Sequence, residues 1–204
     1  MPQPFSKHKT PRGAGFSHAL LKTYPELSAI ALEAIVSWTD VEVQMLRVYL
    51  ALLNSPDDFH AATGYLAIEG RSAKTRMVDA VAKEKLSDEK YKLFTVILRD
   101  AKSSQTQRDK LAHWSWGVSE DIPDAFVLSN PKYMWTHLKR NSEVTYVYRR
   151  KDFDGIIKKN QWLVRVLSGL QFVVQDDHPF NEGDNTFRSL CQEPDIRVML
   201  DKIN

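Results

Sequence analysis

The sequence predicts a mainly α fold: a bundle of four to five helices with a short β-hairpin before the last long helix. Three observations predict it. Apolar residues recur at three- and four-residue spacing over most of the chain, which is the helical period. Residues 125–129 (AFVLS) and 144–149 (VTYVYR) have the β-branched and aromatic texture of two short strands. A further amphipathic stretch follows them, over about 152–175.

Residues 1–24 carry Lys7, Lys9, Arg12 and Lys22, with no acid before Glu26 and with Pro and Gly among them. They read as a flexible basic N-terminal arm; an arm that touches phosphate is the alternative. Pro25 suits a first helical turn, and a long helix is expected from there to about Asn54. Its polar stripe holds Glu33, Ser37, Asp40, Gln44, Arg47 and Ala51. The opposite side holds Leu32, Ile35, Trp38, Val41, Met45, Leu46 and Leu52. Glu42 lies about 200° round the helix from Asp40. Its carboxylate is therefore expected to face inward and to need a partner.

Ser55-Pro56 ends that helix, and residues 56–69 and 72–85 read as two shorter helices around Gly70. Ser87 is a candidate N-cap for a fourth helix, from about Asp88 to Ala112. Its inner positions are Phe94, Ile97, Ala101, Ser104, Arg108 and Leu111, which puts Arg108 on the buried stripe. Asn130-Pro131, Tyr133 and Trp135 lie between the two strands. The last long helix points Phe153, Ile156, Leu163, Leu167 and Leu170 inward, while Gly155 and Gly169 weaken its regularity. The domain so drawn is 25–175. Residues 176–204 form a C-terminal tail with a short helix near 194–202.

Of the 204 residues, 43% are apolar and 26% charged, which allows one globular domain with tails. The net charge of +2 is too small to diagnose nucleic-acid binding and leaves room for a local basic patch. A single cysteine, Cys191, forms no internal disulfide, and a reducing, cytoplasmic compartment is the natural reading. The first residues lack the apolar core of a signal peptide, and no apolar run approaches a membrane span. No Gly-rich phosphate loop follows a strand, and no Ser or Cys nucleophile motif is present. His8, His18, His60, His137 and His178 show no metal-ligand spacing with one another. Asp176, Asp177, Glu182 and Asp184 lack the calcium-loop order and read as a surface loop. No metal and no cofactor is expected.

The one segment that carries chemistry is Arg108-Asp109-Lys110-Leu111-Ala112-His113. Five residues on a regular helix turn through about 140° and rise about 7.5 Å. Either the helix ends near Ala112, or Arg108 and His113 belong to a composite site. Asp109 precedes His113 by four residues and can reach and orient the imidazole. Glu42 is the expected neutralising partner of Arg108. Trp114 and Trp116 flank the segment; such rings stack on bases or anchor cores. Arg149, Arg150 and Lys151, with Lys158 and Lys159 beyond, suit an RNA backbone. Asp152 and Asp154 are interleaved, so a solvated helix start is an equal reading.

This Arg-polar-x3-His segment, set late in a long helix, resembles the signature of the HEPN superfamily (higher eukaryotes and prokaryotes nucleotide-binding). The wider run RDKLAHWSWG is similar to the RNxxAHGxWG stretch of bacterial HEPN-like proteins of poorly defined function. The resemblance spans roughly residues 25–175. Asp109 stands where Asn is more usual, and Trp114 stands where the stretch has Gly. The resemblance implies a helical bundle that pairs as a homodimer, bringing two Arg-His sets into one cleft. It implies metal-independent endoribonuclease activity of a toxin or defence type, with Arg108, Asp109 and His113 catalytic. Trp114, Trp116, Arg149 and Arg150 would bind RNA substrate, Glu42 would support Arg108, and an antitoxin or regulatory protein is an expected partner. The alternative is a non-catalytic dimeric interaction module, or one that binds nucleotide or RNA, using the same groove.

Overall fold

The computed structural model describes residues 2–7, 13–54, 58–134, 144–175 and 182–202. The elements in chain order are β1 (Gln3–Pro4), β2 (Gly15–Phe16), α1 (Pro25–Leu53), α2 (Asp58–Ala67), α3 (Arg71–Lys85), α4 (Asp88–His113), β3 (Ser115–Ser119), β4 (Ile122–Ser129), α5 (Pro131–Met134), β5 (Thr145–Arg149), α6 (Arg150–Val174), α7 (Glu182–Gln192) and α8 (Pro194–Asp201). Short 3-10 turns cover Phe5–Lys7 and His18–Thr23. The fold is mainly α, with a multi-stranded sheet ahead of a long helix. Among the described residues no helix is long and apolar enough to cross a membrane.

The chain divides into two units, with boundaries inside α1, α4 and α6. The sheet unit is Met1–Thr39 with Ser103–Asn160, and the helical unit is Asp40–Lys102 with Gln161–Asn204.

In the sheet unit the expected hairpin is a five-stranded antiparallel sheet of order β1-β5-β4-β3-β2. β4 and β5 pair Phe126 with Tyr148 and Leu128 with Tyr146, side chains that share one face. That face packs on Leu27, Ala31 and Ala34 of α1, Leu111 of α4, and Phe153 and Ile157 of α6. The other face carries Ala125 and Val147, with Phe5 against them. β4 is thus covered on both sides, which explains its unbroken apolar run. The described part of residues 1–24 is not a free arm. β1 extends the sheet beside β5, β2 extends it beside β3, and Ser119 Oγ donates to Gly13 O at 2.7 Å. Lys9 and Arg12 lie outside the described residues. Asp152 accepts from the Arg149 N–H at 3.0 Å, half of a capping box that starts α6 where β5 ends.

In the helical unit, Ser87 Oγ accepts from the Lys90 N–H at 3.4 Å and caps α4 as expected. Phe94, Ile97 and Ala101 are buried along the predicted stripe. Tyr91 donates to Asp79 at 3.1 Å, which ties α4 to α3. The expected tail contains a helix, α7, whose Leu190 and Thr186 approach Gly169 of α6. Gly169 is the gap that admits them rather than a flaw in the helix. Glu182 and Asp184, expected in a surface loop, belong to this helix; Asp176 and Asp177 lie outside the described residues. Trp162 Nε1 and the Arg165 guanidinium both donate to Glu193 just before α8.

Along α1 the buried line is Leu27, Ala31, Ala34, Trp38, Val41, Val48 and Leu52. This is rotated from the expected apolar side. Leu32 is 61% exposed, and Glu42, expected inward, is exposed. Small alanines allow close approach to the sheet, so the line they mark is buried in preference to larger neighbours.

Candidate functional site

The segment of interest lies in the sheet unit, at the C-terminal end of α4. The helix continues through His113, and the Trp114 N–H still donates to Lys110 O at 3.0 Å. Lys110 and His113 occupy its last turn, where cations are favoured by the helix dipole. Ser104 and Leu111 are buried on the predicted stripe. Arg108 follows the same stripe, with 22% of its side chain exposed. Its Nη1 lies 3.3 Å from Asp109 Oδ1, while its buried Nε has no hydrogen-bond partner among the described residues. The carboxylate that answers Arg108 is therefore Asp109. Glu42 belongs to the helical unit, where its charge helps to raise the phenol pKa of Tyr65, after burial as the larger cause.

His113 is exposed. Because α4 stays helical to His113, the imidazole and the Arg108 guanidinium point about 140° apart.

The two tryptophans have different surroundings. Trp116 on β3 donates from Nε1 to Leu111 O at 2.9 Å, filling one of the last carbonyls of α4. Its ring meets Phe126 edge-on at 5.3 Å and stacks on Phe153 at 6.3 Å. Trp116 is a packing residue, with its polar atom committed. Trp114 sits at the rim of the same core, half-buried, with its ring 5.9 Å from that of Tyr146. Lys110, which the sequence reading left out of the site, completes a cluster there. Its ammonium lies 5.3 Å from the Trp114 ring and 4.8 Å from the Tyr146 ring. Burial lowers its pKa from the ordinary lysine value. Its spacing from His113 and Trp114 was visible in the sequence; Tyr146 comes from a distant strand.

Arg149 and Arg150 are not brought to this cluster. Ser115, Ser129 and Thr145 are opposed at one end of the sheet, while Arg149 opposes Ala125, four residues along β4. That is about 13 Å of strand. Arg150 is 65% exposed, with Nε 4.0 Å from Asp154 Oδ2. It lines a cleft of about 330 Å³ at the start of α1 with Thr23, Tyr24, Glu26 and Asp124.

Among the described residues no group of three or more His, Cys, Asp or Glu side chains is arranged to hold a metal ion. What stands at the end of α4 is an exposed imidazole, a mostly enclosed guanidinium with spare donor capacity, and an ammonium seated on aromatic rings. This set suits an anionic ester whose hydrolysis or transfer needs proton movement. No protein-family model, curated protein or solved structure matches this chain.

Proposed function

We propose that the chain is a metal-independent endoribonuclease of toxin or defence type. It acts as a homodimer in which the ends of two α4 helices line one cleft. The observation that carries the reading is the unbroken α4, with exposed His113 and inward Arg108 about 140° apart. A second copy brings a second His113 to the phosphate that the first copy's His113 serves. His113 takes the proton of a ribose 2′-hydroxyl, and the 2′-oxygen attacks the adjacent phosphorus. The bond from phosphorus to the 5′-oxygen breaks, and the protonated His113 of the second copy gives that oxygen its proton. Arg108 stabilises the charge that builds on the equatorial oxygens. The products are a 2′,3′-cyclic phosphate and a 5′-hydroxyl. DNA lacks the attacking hydroxyl and is not cut.

A mixed RNA pool incubated in EDTA tests the reading. The parent protein should cut it and leave cyclic phosphate ends. His113→Ala and Arg108→Ala should each lose roughly 100-fold or more. A folded, dimeric parent that cuts nothing would leave the second reading, a non-catalytic interaction module. The packing of Trp114 with Lys110 and Tyr146 favours that module, because aromatic rings at the rim of a core also serve as interface anchors.

A further inference from the structure

The cation that shares a helix face with His113 is Lys110, not Arg108. Lys110 precedes His113 by three residues and Trp114 by four, spacings that place side chains together. Arg108 is about 200° from Lys110 round the same helix. The Lys110 ammonium is held over two rings, at 5.3 Å from Trp114 and 4.8 Å from Tyr146. Ring faces attract a cation without cancelling its charge. Among the described residues no carboxylate pairs with Lys110; the carboxylate of neighbouring Asp109 lies 3.3 Å from Arg108. The side chain is half-buried, so part of it remains open to solvent. A long side chain that is already immobilised loses less freedom when it meets a ligand. Beside it, the half-buried indole of Trp114 offers an aromatic surface at the edge of the core.

We propose that Lys110 and Trp114 form a one-nucleotide subsite for single-stranded RNA next to His113, the indole stacking on a base and the ammonium meeting the phosphodiester of the same strand. Base stacking on an aromatic ring and a lysine contact to phosphate are the two parts that sequence-tolerant strand binding requires. This deepens the ribonuclease reading and rests on it for the choice of RNA. Single-stranded DNA has the same base and phosphate, so the subsite holds it too, while His113 finds no hydroxyl there to act on.

The probe is a short labelled 2′-O-methyl oligonucleotide of mixed sequence, which cannot be cleaved. Its affinity is measured by fluorescence anisotropy over a range of salt concentrations, with a DNA strand of the same sequence alongside. Lys110→Met should weaken binding roughly tenfold and reduce the slope of log affinity against log salt by about one. Lys110→Arg should restore the slope, and Trp114→Leu should weaken binding roughly tenfold with the slope unchanged. A residue that merely holds the fold would not divide salt dependence in this way. Lys110→Gln replaces the methionine variant if the latter fails to fold. The subsite is overturned if the folded charge-neutral variant matches the parent in affinity and slope, or if the parent binds neither strand. RNA cleavage by the parent, with binding unaltered in the Lys110→Met protein, would sink the subsite and leave the ribonuclease. Binding through Lys110 and Trp114 by a parent that cuts no RNA would keep the subsite and sink the ribonuclease.

Discussion

Trp116 joins the end of α4 to the sheet through one hydrogen bond and two ring contacts. The two kinds of interaction separate by substitution. Trp116→Phe keeps most of the apolar contact but leaves Leu111 O without its donor, in a residue that is itself buried. The expected cost is about 1 kcal/mol. Trp116→Ala also removes the packing and should cost about 3 kcal/mol or more. Urea unfolding of both variants checks the order; equal losses would mean that the hydrogen bond, and not the ring, holds the end of α4. The neighbouring Lys110 shows what one residue's sequence position conceals. Its spacing from His113 and Trp114 was plain, but Tyr146, the second ring, reaches it only through the pairing of β4 with β5. Glu42 failed as an inward residue for a related reason. Its angle from Asp40 was right, but the buried line of α1 was set by Ala31 and Ala34, which offer little hydrophobicity to a pattern and much to close packing.

At the scale of elements, length decided what was legible. α1, α4 and α6 each repeat their period many times, and their bounds fall within about two residues of expectation. β4 and β5 were visible as β-branched runs. β1 and β2 have two residues each, too few for any alternation to register. β3 reads SWGVS, where Gly117 breaks the strand signal for a structural reason. A Cβ at Gly117 would lie 2.2 Å from Gly15 O and 2.8 Å from the Phe16 ring, so only glycine lets β2 approach. Gly117→Ala should therefore push β2 from the sheet edge at a cost of about 1–3 kcal/mol. Amide exchange reads this directly: protection should fall around Gly15 and Phe16 while the β4–β5 pairing keeps its own. Uniform loss across the sheet would show that β2 is integral to it. The helix α7 was hidden because Gly183, Asp184 and Asn185 have the texture of a loop; burial of Leu190 against Gly169 outweighs their poor propensity.

At the scale of the whole molecule, the sequence carried the motif and its place on α4, but not the arrangement that would make it a site. An unbroken helix separates Arg108 from His113, and the strand register sets Arg149 away from the Ser115 end of the sheet, next to Trp114. The ribonuclease proposed above therefore needs a second copy, and a dilution experiment asks for one. Parent protein is allowed to exchange subunits with increasing amounts of His113→Ala protein, and RNA cleavage in EDTA is followed with cyclic phosphate ends as the readout. If each cleft uses His113 from both chains, about ten variant chains per parent chain leave few parent pairs, and activity should fall roughly tenfold. Cleavage that is indifferent to the added variant, or its absence from the folded parent, would contradict a ribonuclease site built from two α4 ends.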